Sequence, residues 1–384
     1  MPADTAAPLA ATEQDVHWMD RALELARRSE ALASPNPMVG AVIVDEGRVV
    51  GEAFHTYDGA KHAEVLALES AGAAARGAAL YLNLEPCCHT GRTPPCTEAI
   101  IRAGIRRVVA AMADPNPAVA GRGFAQLRQA GIEVTVGLRQ AEARRLNEAF
   151  ARWIRTGRPL VILKSALSLD GRIAAPKRRR KSSASYWVTS EAARGEVQNL
   201  RHSADALLTG IGTVLADDPL LTDRTGRPRR RKLLRVILDS RLRLPVKSRL
   251  VQSAENDVLV FTTALPDSRR GRALARAGVE VVRVRSRRGR VDLLAALAEL
   301  GQRQILSVLL EGGAELNGAA LAAGVVDKLV LYYAPKVLGA NAVPWLSASA
   351  REVASLPPLR ELALRQVGQD FVVEGYFRDV YGDH

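Results

Sequence analysis

Cysteine is scarce, with three in 384 residues, too few for a disulfide framework and suited to a reducing compartment. Aromatic residues make up only 4% of the chain, so stacking platforms for unpaired bases are not evident. No apolar run is long enough to cross a bilayer, and residues 1–12 lack the basic start and apolar core of a signal peptide. A cytoplasmic protein with no membrane partner is the expectation. The dinucleotide fingerprint Gly-x-Gly-x-x-Gly is missing too, because Gly210-Ile211-Gly212 runs on into Thr213-Val214-Leu215. Any dinucleotide must therefore be held another way.

The charge that is present leans positive and is unevenly spread. Of a formal +13, residues 1–155 hold 17 Lys and Arg against 18 Asp and Glu, whereas 156–384 hold 37 against 23. Lys177-Arg178-Arg179-Arg180-Lys181 and the stretch from Arg227 to Lys232 supply ten of these cations. They read either as solvated loops or as attractors of phosphorylated ligands or nucleic acid. A near-neutral first half and few aromatics argue against a nucleic-acid partner. The length exceeds one core, and Arg155-Thr156-Gly157-Arg158-Pro159 reads as a linker, so domains at 13–155 and 156–384 are expected.

In the first half, 15–28 sets Met19, Ala22, Leu23 and Ala26 at helical spacing, which predicts an amphipathic helix ending before Ser34-Pro35-Asn36-Pro37. Residues 38–50 are rich in Val and Ile and break at Asp45-Glu46-Gly47, two strands around a turn. Further strands are expected at 79–84, 108–111 and 133–136, and helices at 63–71, 97–103 and 123–130. The class is α/β, a sheet covered by helices.

His62-Ala63-Glu64 puts an imidazole two positions ahead of a carboxylate at the start of a predicted helix, and Cys87 and Cys96 follow in a loop rich in proline. One imidazole and two thiolates leave the fourth tetrahedral position of zinc open, as a catalytic site requires. A closed structural site would need a fourth protein ligand, for which His89 is the nearby candidate. Zinc lowers the pKa of a bound water towards neutrality. Glu64, not itself a ligand, can then shuttle protons as in the zinc nucleobase deaminases. The expected metal ligands are His62, Cys87 and Cys96, with Glu64 catalytic. The common deaminase signature places two residues between its cysteines, whereas eight lie between Cys87 and Cys96. Cys88 reads as a small buried residue.

Asn36-Pro37-Met38-Val39-Gly40, His62-Ala63-Glu64 and LEPCCHTGRTPPC together resemble the bifunctional deaminase/reductase family of riboflavin biosynthesis, whose long cysteine spacing they share. The likeness runs through Asp114-Pro115-Asn116-Pro117 and Gly121-Arg122-Gly123 and continues to near the C-terminus. It implies an N-terminal cytidine-deaminase-like α/β/α layer domain acting on a phosphorylated pyrimidine small molecule, a diamino-pyrimidinone with a phosphoribosylamino group. It carries ring or sugar contacts onto Asn36 and His55, and ribose-phosphate contacts onto His89 and Arg92. Asp114 and Asn116 are weaker candidates. A surface histidine is the alternative for His55, and a turn the alternative for the Asp-Pro-Asn-Pro run.

In the second half, strands are expected at 160–164, 206–208, 234–238, 258–262, 279–284, 305–310 and 329–333, alternating with helices. Thr209-Gly210-Ile211-Gly212-Thr213 and Glu311-Gly312-Gly313, before a helix-like 314–322, are strand-to-turn junctions where backbone N–H groups could meet a pyrophosphate. With LKSALSLDGRIA, Trp187-Val188-Thr189-Ser190 and Ala216-Asp217-Asp218-Pro219-Leu220-Leu221-Thr222, they resemble the reductase domain of the same family, a dihydrofolate-reductase-like α/β domain. The resemblance implies reduction of the opened ribose by NADPH. It carries cofactor contacts onto Ala166, Trp187, Thr213, Asp217 and Ser240, and onto Gly313, Ala314, Glu315, Leu316, Asn317, Gly318 and Ala319. Substrate contacts fall on Ser185, Arg201, Leu221, Arg224 and Glu311, the arginines being suited to phosphate. The chain departs from the family pattern between Ala174 and Ser185, where the basic run replaces a short turn. A homo-oligomer is also implied.

Overall fold

The computed structural model describes residues 12–91, 93–175, 187–349 and 356–382. Arg92, Ser185 and the run Lys177 to Lys181 lie outside the described residues. Two compact units divide the chain: Met1–Thr156 with Pro228–Arg230, and Gly157–Arg227 with Arg231–His384.

The first unit opens with α1 (Glu13–Arg27). Thr12 accepts the Asp15 N–H and Asp15 accepts the Thr12 N–H, a reciprocal cap that satisfies two backbone donors. The buried Met19, Ala22, Leu23 and Ala26 follow the predicted spacing. Then come β1 (Gly40–Asp45), β2 (Arg48–Phe54), α2 (Ala63–Ala71), β3 (Ala79–Leu82), α3 (Cys96–Ala103), β4 (Arg107–Ala110), α4 (Arg122–Gln129), β5 (Glu133–Val136), α5 (Gln140–Leu146) and α6 (Glu148–Thr156). Among the described residues, five strands form one sheet in the order β2-β1-β3-β4-β5. The β1–β2 hairpin and the β1–β3 pair are antiparallel, and β3–β4–β5 are parallel. The loop after β3 therefore leaves the C-terminal end of a parallel strand, where open α/β sheets present their chemistry.

The linker expectation at 155–159 is corrected in part. Arg155 and Thr156 form the last turn of α6, where the Thr156 hydroxyl donates to the Arg152 carbonyl at 2.6 Å. Phe150, Ala151 and Arg152 are buried in this helix, which runs on to the residue before Gly157.

In the second unit β6 (Leu160–Ser168) and β7 (Arg172–Ala174) are followed by α7 (Glu191–Ser203), β8 (Ala206–Gly210), α8 (Ile211–Asp217), β9 (Leu234–Leu238), α9 (Arg249–Gln252), β10 (Val258–Thr262), α10 (Arg269–Arg276) and β11 (Val279–Arg283). The chain continues through β12 (Ser286–Arg287), β13 (Arg290–Val291), α11 (Leu293–Gln302), β14 (Ser307–Leu310), α12 (Ala314–Ala322), β15 (Lys328–Ala334), β16 (Val343–Pro344), β17 (Arg360–Val367) and β18 (Asp370–Tyr376). Among the described residues, nine strands make one sheet in the order β11-β10-β9-β8-β14-β6-β15-β18-β17. From β11 to β15 the neighbours are parallel, and β18 and β17 add an antiparallel edge. The internal strands β10 and β14 are buried along their whole length, as strands covered on both faces must be.

Two further expectations change. No turn separates β8 from α8: Gly210 is the extended N-cap and the buried Ile211 is already helical. The edge strand β17 and its neighbour β18 have no counterpart among the predicted strands. In β17, Arg360, Glu361, Arg365 and Gln366 interrupt the apolar alternation, and all but its last residue are exposed.

Gly40 fixes how α1 lies on the sheet, since a Cβ there would stand 2.1 Å from the Ala22 carbonyl oxygen and 2.6 Å from the Ala26 nitrogen. Gly40→Ala is expected to lower unfolding free energy by about 2 kcal/mol or more, because backbone cannot yield as a side-chain tip can. Urea unfolding of the variant measures this.

Candidate functional site

His62 is the extended residue that caps α2, and Glu64 lies in the first turn of that helix. Cys87 sits in the irregular segment after β3, and Cys96 is the first residue of α3, fully buried. The His62 Nδ1 atom is 3.2 Å from Cys96 Sγ and 3.4 Å from Cys87 Sγ, and the three donor atoms all lie within 4.8 Å of one another. Zinc takes sulfur at about 2.3 Å and nitrogen at about 2.0–2.1 Å, so tetrahedral neighbours stand roughly 3.5–3.8 Å apart. The donor set matches that chemistry, and its nitrogen–sulfur distances of 3.2 and 3.4 Å are slightly shorter than that spacing.

A hydrogen bond from Cys96 holds the Cys87 thiol down at about 4 against the opposing effect of burial, with His62 adding to the shift. Cys96 is pushed up by the same partner and by burial. Glu64 is 3% exposed, and its Oε2 meets no hydrogen-bond partner among the described residues. Burial raises the Glu64 carboxyl above its ordinary range, partly offset by His62. An orphaned carboxylate oxygen beside a three-donor set is the arrangement expected of a group held ready for a proton.

The structure brings Asn36 and His55 to the same place. The His55 ring lies 5.2 Å from the His62 ring, edge on. Its Nδ1 faces the Lys61 carbonyl at 2.9 Å and therefore donates, which leaves Nε2 to accept from Asn36 Nδ2 at 2.9 Å. The surface reading of His55 is corrected: it is 2% exposed, sealed by these two bonds. His89 is exposed in the loop after Cys88. Asp114, pushed up to about 7 chiefly by burial against the pull of the Asn116 N–H, stands near enough to Glu85, Cys87 and Glu64 to feel their charge.

Sequence reasoning missed the residues that hold this cluster in shape. Asn83 accepts from Gly40 N and donates to the Met38 carbonyl, which Asn147 also clamps. Glu85 is buried and spends both oxygens on backbone donors: Asp114 N and Gly121 N on one, Gly123 N and Phe124 N on the other, at 2.8–3.3 Å. That carboxylate caps the start of α4 and ties the Cys87 segment to the Asp114 loop. Gly123 must lack a side chain, because a Cβ would meet the Pro86 carbonyl oxygen at 2.3 Å. The Glu-Pro-Cys run and Gly121-Arg122-Gly123 were visible signals, but no local rule joins them.

A second cluster forms where β14, β6 and α7 approach. Arg201 makes a two-point pair with Glu311, at 2.8 and 2.9 Å, and its Nη1 donates to the Thr222 carbonyl. Burial would raise Glu311, but Arg201 and Lys164 outweigh it and hold the carboxyl at about 2. Lys164, expected only as the end of a strand and not as a site residue, has its amine pushed down by burial, with Glu311 opposing and Arg201 reinforcing that shift. Leu221 has a left-handed backbone, and its side chain is buried in the apolar core, so only its backbone is placed to meet a ligand. Arg224 is exposed.

The remaining positions are placed as follows. Ala166 lies within β6, Thr213 in α8, and Asp217 ends that helix. Trp187 is exposed beneath the Arg194 guanidinium, 5.0 Å from its ring centre. Ser240 accepts from Val291 N at its hydroxyl and from Thr263 at its carbonyl. Gly313 is the N-cap of α12 and offers no side-chain cap, so the first N–H groups of that helix are free of one. Asn317 turns inward, donating to the Trp345 carbonyl and Ser165 hydroxyl, and Leu316 packs on the core.

Comparison with known proteins accounts for both halves. The cytidine and deoxycytidylate deaminase zinc-binding region matches residues 12–112, and the RibD C-terminal domain matches 159–373. The riboflavin biosynthesis protein RibD of Escherichia coli is 43% identical over 377 residues, covering 93% of this chain and 98% of that protein. The solved structure of Acinetobacter baumannii RibD, form 1, is 40% identical and superposes with a TM-score of 0.83 over 95% of this chain and 99% of that one. A Thermotoga maritima protein described as a diaminohydroxyphosphoribosylaminopyrimidine deaminase/5-amino-6-(5-phosphoribosylamino)uracil reductase is 36% identical with a TM-score of 0.79, covering 94% and 98%. Fold and site thus define a two-domain protein that joins a cytidine-deaminase-like domain to a reductase domain. Within that class, the chain belongs to the RibD family of riboflavin biosynthesis proteins.

Glu85→Gln turns one acceptor oxygen into an amide facing two backbone donors. With two buried N–H groups unpaired, a loss of about 2–6 kcal/mol in stability is expected, measured by urea unfolding of the zinc-loaded protein.

Proposed function

We propose that the chain carries out two consecutive steps of riboflavin biosynthesis: hydrolytic deamination of the phosphoribosylamino diaminopyrimidine in the first unit, then NADPH-dependent reduction of its ribose to ribityl in the second. The observation that carries the reading is the buried, unpartnered Glu64 oxygen beside His62, Cys87 and Cys96. In this reading those three residues hold zinc, which supplies an activated water when bound. Glu64 takes the proton of the attacking water and returns it to the departing ring amine, so that C–NH2 and water become C=O and ammonia. Asn36, oriented by His55, positions the pyrimidine ring, while His89 and Arg92 take the phosphate.

For the second step, the nicotinamide supplies hydride, and Gly313 to Ala319 present the α12 N-terminus to its pyrophosphate. Ala166, Trp187, Thr213, Asp217 and Ser240 complete the cofactor contacts. Arg201, Arg224, Ser185 and the Leu221 backbone hold the substrate. Glu311 fixes Arg201 and opposes the downward pull of burial on the Lys164 amine. That leaves Lys164 as the proton donor beside the sugar, a cation whose surroundings already ease its deprotonation. Leu362 and Leu364, 64% and 70% exposed on the edge strand β17, favour a homo-oligomer that covers them.

Supplying the phosphoribosylamino-pyrimidine to purified protein, with ammonia release and NADPH oxidation followed separately, tests the pairing. Glu64→Gln is expected to keep zinc and lose ammonia release by about 10²–10⁴-fold, with metal content measured by plasma mass spectrometry. An active variant would remove the proposed mechanism. Because the Lys164 pKa lies below that of an ordinary lysine, NADPH oxidation is expected to fall as pH rises through this lowered value, which deprotonates the donor. A pH–rate profile reads this limb, and Lys164→Met is expected to abolish it.

A further inference from the structure

We propose that Arg230 is a positioning residue of the deaminase site: it fastens the loop that carries Asn36 to the loop that carries His55, and so holds the Asn36 amide where the pyrimidine ring is received. This rests on the deamination reading above, in which Asn36 orients the ring, and adds the side chain that keeps Asn36 in place.

Residues Pro228–Arg230 belong to the first unit, although their neighbours on both sides in the chain do not. The Arg230 backbone N–H donates to the Ala31 carbonyl at 3.0 Å, and Arg230 Nη1 donates to the Ser34 carbonyl at 3.0 Å. Both acceptors precede Asn36 in one loop, where the Asn36 N–H turns back onto the Ala33 carbonyl at 2.9 Å. On its other side, Arg230 Nε donates to Asp58 Oδ1 at 3.0 Å, and the guanidinium carbon stands 3.7 Å from the centre of the Tyr57 ring. Tyr57 and Asp58 lie between His55 and Lys61, the residue whose carbonyl receives the His55 Nδ1 proton. One side chain therefore grips both loops, within three residues of each partner in the Asn36–His55 bond.

These contacts differ in weight. The Asp58 side chain is 75% exposed, so its pairing with Arg230 is screened by water and holds little. The Arg230 side chain is only 19% exposed, which leaves the bond to the Ser34 carbonyl and the stack on Tyr57 as the contacts that hold the loops. A guanidinium suits this task because its plane covers a ring while its edge donates to two acceptors, which an ammonium cannot do at once. Backbone bonds from Tyr57 N to the Leu32 carbonyl and from His55 N to the Val39 carbonyl already align the two loops. Loss of Arg230 thus loosens the Asn36 amide rather than unfolding the site. Misplacing an orienting group by about 1 Å can cost on the order of 100-fold in rate, so the loosening is read in turnover.

Ammonia release by the full-length, zinc-loaded protein, followed over a range of phosphoribosylamino-pyrimidine concentrations, tests the assignment. Arg230→Ala is expected to lower kcat for ammonia release by about 10-fold and to change KM by less than about threefold, because the phosphate contacts are untouched. Zinc content, and NADPH oxidation with substrate that is already deaminated, are expected to stay as they are. Arg230→Lys, the milder variant should Arg230→Ala fail to load zinc, is expected to lose the same step to a smaller extent. In an Asn36→Ala background either Arg230 variant is expected to change kcat by less than about twofold, since the group it positions is gone. A purely structural role would instead give losses that multiply. Multiplying losses, or full ammonia release by both Arg230 variants, overturn the proposal and leave the deamination reading standing. If Asn36→Ala keeps full activity, or the unaltered protein releases no ammonia, the proposal falls together with the reading it rests on.

Discussion

One imidazole and two thiols, drawn from positions 25 and 9 residues apart along the chain, meet at 3.2 to 3.4 Å in the first unit. Such a meeting of soft, deprotonatable donors is costly to build without a cation, because burial disfavours the thiolate and leaves the nearby carboxylate without a partner. The rest of the unit can be understood as the support for that meeting. The parallel β3–β4–β5 arrangement delivers the Cys87 segment to a strand end. α2 brings His62 as its cap and Glu64 in its first turn. Asn83 and Glu85, both just beyond the end of β3, convert an irregular loop into a fixed one by filling its backbone donors and acceptors.

How much of this was legible depended on the range of the physical signal. The opening helix, the β1–β2 hairpin and the strands at β4, β5, β9 and β10 followed from periodicity and turn residues, which act over a few positions. α6 runs into the predicted linker as far as the residue before Gly157. β17 escaped notice because an edge strand needs no buried face and so carries no alternation. At the first site, the three metal-binding residue types could be picked out because zinc chemistry restricts the choice so strongly. Lys164 and Glu85 could not, since one draws its perturbation from Glu311 and Arg201 across the sheet and the other from amides 29 to 39 residues away.

The two units solve the same problem with different means. In the first, buried charge is gathered around donors suited to a metal. In the second, Arg201 and Glu311 form a two-point pair, and Lys164 joins Arg201 in holding the Glu311 carboxyl low. Neither unit uses a glycine-rich phosphate loop. The second instead runs from the end of the parallel strand β14 into α12, whose first N–H groups carry no side-chain cap.

Zinc K-edge X-ray absorption on the purified protein tests the central claim most directly. The account predicts two sulfur neighbours near 2.3 Å, with one imidazole nitrogen and one light atom from solvent near 2.0 Å. A shell made of four protein ligands, or of a single sulfur, would contradict it.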